Sequence, residues 1–234
     1  MTEMKQLPKP EIYDAGIPYW PYDITLEEAL RDVFDRAPRG SALLDVMCGT
    51  GYLLGKIAAA RPDLTLRGMD IDERYLAHAR TAYPGISFRQ GDIRSWWPGR
   101  QYPTVVCTGS IHHVPYEEQE KVIANIASMV ESCGVAVISD CYVADYESEK
   151  QRQEAALKLG YEYLRYALKQ EAPPQVIEWT IGILHNDVLR HEYKMSYRER
   201  IRLLKRYFRR VDSTETWPCT GAQYGEHVHI CIAA

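Results

Sequence analysis

Three aspartates early in the chain each close an apolar run: Asp45 in LLDVMCGTGYL (43–53), Asp70 in LRGMDID (66–72) and Asp92 in FRQGDIR (88–94). An ionised carboxylate only accepts hydrogen bonds, so it suits ligands rich in donors, such as an amino group, a ribose diol or a ring amine. Gly49 and Gly51 follow Asp45 and let the backbone turn tightly and approach a ligand with no side chain between them. The helix that begins there offers unpaired N–H groups. The stretch Gly49-Thr50-Gly51-Tyr52-Leu53-Leu54 lacks the third glycine of a dinucleotide fingerprint, and an acid stands beside it, so a pyrophosphate fits poorly. A second chemical group lies in SIHHVPYEEQ (110–119), where His112 or His113 is suited to act as a general base near neutral pH. Asp140 and Tyr142 in SDCYVADY (139–146) are expected to face the same pocket, Asp140 as a second base or as the acid that orients an acceptor.

These side chains need strand ends to stand on, and the hydropathy pattern supplies them. Strands are predicted over 42–47, 65–71, 86–90, 103–110 and 134–140, with helices over 51–62, 73–83 and 117–132 between them. Such alternation implies a parallel sheet with helices on both faces. Upstream, Thr25 with Glu28 three residues later reads as a capping box opening a helix whose apolar face holds Leu26, Ala29, Leu30 and Val33. Asp72 is placed to cap the helix over 73–83. From 145 to 200 the alternation gives way to helical segments, and an amphipathic helix (196–208) then leads to strands in RRVDSTETWP (209–218) and GEHVHICIA (225–233). The expected fold is α/β: a seven-stranded, mostly parallel, doubly wound sheet with its last strand antiparallel and a helical lid between strands five and six. It divides into an N-terminal aromatic segment and cap helix (1–37), a cofactor-binding core (38–144), the lid (145–200), and a closing helix and strands (201–234).

On that frame Asp45, Asp70 and Asp92 mark the ends of three successive strands and outline a ligand with an amino group, a ribose and an adenine but no phosphate. S-adenosylmethionine has that shape. Together with VVCTGSIHHV (105–114) and MVESCGVAVISD (129–140), these segments resemble, in order, the class I, Rossmann-like S-adenosylmethionine-dependent methyltransferase family over roughly 40–140. Cys133-Gly134 departs from the Pro-Gly or Gly-Gly often found there. The resemblance implies that Asp45, Gly49 and Gly51 surround the methionine part and that Asp70 holds the ribose. It implies that Asp92 takes the adenine amino group, with Ile71 and the Ile93 backbone beside the ring. Thr108 and Gly109 would meet the methionine amino group. The implied activity is methyl transfer to an oxygen, nitrogen or carbon of a small organic molecule. An RNA- or protein-directed methyltransferase and a nicotinamide-dependent oxidoreductase are the alternatives.

Composition narrows the classes further. The 234 residues are 46% hydrophobic and 26% charged with net charge −4, so no overall basic field draws nucleic acid or anionic membrane. No apolar run is long enough to span a bilayer, and MTEMKQLPKPEIYD carries no signal-peptide apolar region. Six cysteines without a C-x-x-C pair read as reduced, buried thiols in a cytoplasmic protein. A small-molecule acceptor is the expected partner, and a homodimer is left open. Tyr13, Tyr19 and Trp20, in a proline-broken segment, are the expected acceptor contacts together with Tyr142. Tyr161, Tyr163, Tyr166, Trp179 and Tyr193 load the lid with aromatics, most of them as a small core. The nine lysines and arginines over 190–210 read as the wet side of a helix whose apolar face holds Ile201, Leu204 and Phe208. His227 and His229 share a face of the last strand without a third ligand close by, so no metal site is expected.

Overall fold

The structure is a computed structural model that describes residues 8–189, 192–221 and 223–234. Its sheet has seven strands: β1 (Ala42–Val46), β2 (Thr65–Asp70), β3 (Ser87–Gln90), β4 (Tyr102–Thr108), β5 (Val130–Tyr142), β6 (Arg210–Trp217) and β7 (Gly225–Ile232). Their order is β3-β2-β1-β4-β5-β7-β6. Pairing is parallel from β3 to β5, while β7 runs antiparallel to both β5 and β6. The winding reverses between β1 and β4, which opens a crevice at their carboxyl ends. The expected architecture is therefore the observed one.

Helices cover both faces. On one lie α1 (Pro10–Gly16), α2 (Tyr22–Arg36), α3 (Tyr52–Ala60) and α4 (Glu73–Ala82), whose apolar sides pack on Leu43, Leu66, Val106, Val137 and Val228. On the other lie α5 (Tyr116–Met129) and α8 (Tyr197–Tyr207), packed on Leu44, Val105, Ala136 and Ile138. Between β5 and β6 the chain also forms a hairpin of α6 (Glu149–Lys169) and α7 (Pro174–Val188). The α2 face is as expected, with Leu26, Ala29, Leu30 and Val33 all buried, each leucine or valine contributing about 1.5–3 kcal/mol. Asp72 caps α4 by accepting from the Arg74 N–H. No helix among the described residues is long and apolar enough to cross a membrane.

Four local expectations are corrected. The Thr25–Glu28 pair does not cap α2, which starts three residues earlier after Pro21; Thr25 is buried inside it and its hydroxyl meets Thr216 Oγ1 at 2.7 Å. The proline-rich segment is helical, because Pro10 occupies the first position of α1, where its missing N–H has no partner to lose. All six cysteines are free, but Cys133 and Cys219 are exposed. In the basic stretch Arg202, Lys205, Arg206, Arg209 and Arg210 are exposed, whereas Lys194 and Arg200 are buried in ion pairs with Asp187 and Asp140.

Candidate active site

A cavity of about 710 Å³ opens at the carboxyl ends of β1, β2 and β4. Asp45, Asp70 and Asp92 all line it, with Gly49, Ile71, Ile93, Thr108 and Gly109. Asp45 is 2% exposed and its Oδ1 has no hydrogen-bond partner among the described residues. Burial, then the nearby charge of Asp70, pushes its carboxyl well above the usual carboxylate range. A buried acceptor left open in this way is satisfied by a ligand donor. Gly49 has φ +55° and a Cβ there would meet nothing within 4 Å, so its backbone faces open cavity. Its N–H donates to Asp70 Oδ2 at 2.8 Å, and the Asp72 N–H donates to Asp70 Oδ1 at 2.8 Å. The carboxylate is thereby fixed at the end of β2 with lone pairs left for a diol. Gly51 does not reach the cavity: at φ +75° it caps α3, and a Cβ there would strike the Phe88 ring at 2.9 Å.

At the far end Asp92 is held by Arg94, whose Nε lies 2.9 Å from both carboxylate oxygens; this hydrogen bonding keeps Asp92 below the usual range. Arg94 also pairs with Glu118 at 2.8 Å. It is the only lysine or arginine along this cavity among the described residues, and it is committed to two acids. One wall is α1 and the turn after it, through Tyr13 and Ile17. Asp14 ties this wall down by accepting from Thr50 Oγ1 at 2.5 Å and meeting His78 Nε2 at 3.1 Å, and Tyr75 donates to the Pro8 carbonyl at 3.0 Å.

A second cavity of about 100 Å³ adjoins the first, sharing Tyr13, Tyr22, Gly109, His113 and Glu192. His113 stands at the junction, its Nδ1 2.7 Å from Glu192 Oε2. Burial works against a charge on that imidazole, but the Glu192 carboxylate overcomes it and His113 titrates above its ordinary 6.5. Burial likewise opposes ionisation of Glu192, yet His113 holds it down to about 2. His112 lines the second cavity, and its Nδ1 makes a short hydrogen bond to Asp140 Oδ1. Asp140 also accepts from Arg200 Nη2 at 3.2 Å and from the Cys141 N–H at 3.0 Å. Ligating atoms of His112, His113 and Glu192 lie within 4.8 Å of one another, a spacing a divalent ion would accept. The pairings just described satisfy these groups without one.

Besides Gly51, three expected site residues lie elsewhere. Strand parity puts Asp140 and Tyr142 on the α8 side of β5 and Cys141 on the cavity side. Asp140 therefore stands behind His112 and lines neither cavity. Tyr142 is fully buried, its hydroxyl 2.7 Å from His229 Nε2. His229 is pushed down to about 3 by burial first, and its Nδ1 meets Ser213 Oγ at 2.8 Å, so it is a neutral core histidine. Tyr19 packs around Trp20, Ala167 and Val176 instead of lining a cavity, whereas Tyr13 and Trp20 do line the second one.

Nothing in the sequence pattern singled out Tyr22, Glu192 or Glu226, all of which line the second cavity. Tyr22 opens α2, donates to Thr108 Oγ1 at 3.0 Å and walls both cavities. Glu226 arrives by the register of β7, which sets it opposite Cys141. Glu226 thus brings the closing strand to the wall of the second cavity, though not to the large one.

The geometry agrees with comparison to known proteins. Residues 43–134 match the family described as "Methyltransferase domain". A dTDP-3-amino-3,4,6-trideoxy-alpha-D-glucopyranose N,N-dimethyltransferase of Streptomyces venezuelae is 35% identical over 108 residues, covering 45% of each protein. The chain thus spans about half the length of that relative. The crystal structure of Streptomyces venezuelae DesVI matches with TM-score 0.51 at 27% identity over 62% of each chain. A magnesium protoporphyrin IX methyltransferase from Synechocystis PCC 6803 shares the fold, with TM-score 0.59 at 18% identity over 92% of this chain and 84% of the other. Residues 43–134 of the chain are thus similar to a methyltransferase domain, and its sheet has the fold of class I, Rossmann-like S-adenosylmethionine-dependent methyltransferases.

Proposed function

We propose that the chain transfers a methyl group from S-adenosylmethionine to a nucleophilic atom of a small organic molecule. The observation that carries this reading is the large cavity itself. Three strand-end carboxylates line it, Asp45 has an open oxygen, and the sole cation along it among the described residues is already paired. A nucleoside with a cationic amino group fits there, and a pyrophosphate lacks partners. Asp45 would face the methionine end, Asp70 the ribose, and Asp92 with Ile71 and Ile93 the adenine. Bound there, S-adenosylmethionine supplies an electrophilic methyl on a sulfonium.

The chain's own residues do the rest. The second cavity holds the acceptor beside the first, and its aromatic walls exclude water. His113 at the junction takes the proton that the acceptor releases. Its Nδ1 is engaged by Glu192, so Nε2 is the nitrogen left to do this, and the same carboxylate stabilises the imidazolium that forms. Asp140 acts through His112, fixing that ring. The small volume of the second cavity supports a small-molecule acceptor over RNA or protein. The similarity to an amino-sugar N,N-dimethyltransferase makes nitrogen the first acceptor atom to test.

Thermal unfolding with S-adenosylhomocysteine or NAD tests the cofactor. A ligand at a hundred times its dissociation constant stabilises by about 2.7 kcal/mol. S-adenosylhomocysteine should raise the midpoint and NAD should leave it in place; the reverse result defeats the proposal.

A further inference from the structure

The second cavity carries one acid that the methyl-transfer chemistry does not use. Glu226 is buried, with Oε1 accepting a short hydrogen bond from the Tyr163 hydroxyl and Oε2 without a partner among the described residues. Among the described residues, every other charge around this cavity is committed. Both Asp187 oxygens lie within 2.8 Å of Lys194 Nζ, Glu192 is paired with His113, and Asp140 is paired with His112 and Arg200. Asn186, from α7, lines the same cavity and its Oδ1 is also buried without a partner among the described residues. Two open acceptors on one small cavity call for a ligand that donates.

The walls point to the same chemistry. Tyr13, Trp20 and Tyr22 come from the N-terminal segment, Tyr163 from α6 and Trp179 from α7. Trp20 is fixed in place by its Nε1–H, which donates to Thr180 Oγ1 at 2.8 Å, and its ring centroid lies 6.0 Å from that of Tyr13. Aromatic faces carry negative charge density and attract cations, most strongly where water is excluded. We propose that Glu226, with the rings of Tyr13, Trp20, Tyr22, Tyr163 and Trp179, forms a recognition subsite for a protonated amine carried by the acceptor. This rests on the second cavity being the acceptor's. Glu226 releases its proton to solvent as the amine docks and becomes its counter-ion, the rings surround the cation, and Asn186 Oδ1 takes a further N–H.

Benzylamine and its neutral counterpart benzyl alcohol are suitable probes, titrated calorimetrically into the full chain at pH 8 with and without saturating S-adenosylhomocysteine. Benzylamine should bind at least tenfold more tightly than the alcohol. Glu226→Gln should weaken benzylamine at least tenfold and leave the dissociation constant for S-adenosylhomocysteine within twofold. Trp179→Leu, which leaves Glu226 intact, should weaken benzylamine severalfold. Equal binding of the two probes, no saturable benzylamine binding, or an unchanged Glu226→Gln affinity would overturn the subsite. Failure of S-adenosylhomocysteine to bind would instead defeat the cofactor reading, and the benzylamine comparison without it still decides the subsite.

Discussion

Replacing Glu226 by glutamine should make the protein more stable, by an amount that depends on pH. Burial first, and then the charge of Asp140, pushes the Glu226 carboxyl up to about 8, from 4.5 in an open chain. Between those values the folded protein holds a proton that the unfolded chain has released, so stability falls as pH rises through this window. At pH 7 the loss is on the order of 3 kcal/mol: about 1.4 kcal/mol per unit over roughly 2.5 units. Glutamine keeps the shape of the neutral acid and can still accept from Tyr163, but it has no proton to lose. The variant should therefore match the wild type near pH 4.5, exceed it by about 3 kcal/mol at pH 7, and gain little further above pH 8. The charges and hydrogen bonds that act on Glu226 come from Asp140, Cys141 and Tyr142 of β5, Thr25 and Tyr22 of α2, Tyr13 of α1 and Tyr163 of α6. All are common to both proteins and largely cancel in the comparison. Urea unfolding followed by circular dichroism at pH 5, 6, 7 and 8 measures the gap. A gap that does not vary with pH, or a variant less stable than wild type at pH 8, refutes the reasoning. The stability gained should accompany loss of amine binding, the usual exchange at a site built to hold a ligand.

The remaining expectations concern the cofactor, the base and the metal. Asp70→Ala removes a carboxylate held by the Gly49 and Asp72 N–H groups. It should weaken S-adenosylhomocysteine about ten- to a hundredfold by calorimetry, the range for hydrogen bonds to a charged group; an unchanged affinity would remove it from the site. His113→Ala should lower kcat by about 10²- to 10⁴-fold with nucleoside affinity unchanged, the range for loss of a general base. Glu192→Gln removes the charge that holds His113 above 6.5, so the acid limb of kcat/KM should move to lower pH; a limb that stays put assigns it to another group. Dialysis against EDTA should leave turnover intact, and activity lost and then restored by zinc or manganese would make His112, His113 and Glu192 a metal site.

The large cavity was legible because its determinants are local. Asp45, Asp70 and Asp92 each end an apolar run, and parallel winding brings successive strand ends together whatever the rest of the chain does. The small cavity was much less so. Tyr142 was misplaced because two residues along a strand share a face, and the face of Asp140 is set by α8, whose buried Arg200 pairs with it. Tyr22 was hidden by a capping pattern at Thr25 that the chain does not use, since burying the Thr25 hydroxyl against Thr216 decides that position. Glu226 depends on an antiparallel register between segments 85 residues apart, Cys141 and Glu226, which no local pattern announces.

The fastening of α1 bears on how the large cavity can open. Asp14 holds Thr50 on one side and His78 on the other, so a single side chain moors this wall of the large cavity to both the loop before α3 and α4. Widening the cavity on that side means unmooring Asp14, together with the Tyr75–Pro8 contact, without disturbing the sheet beneath. Movement of this wall therefore starts with the release of one aspartate from its two partners.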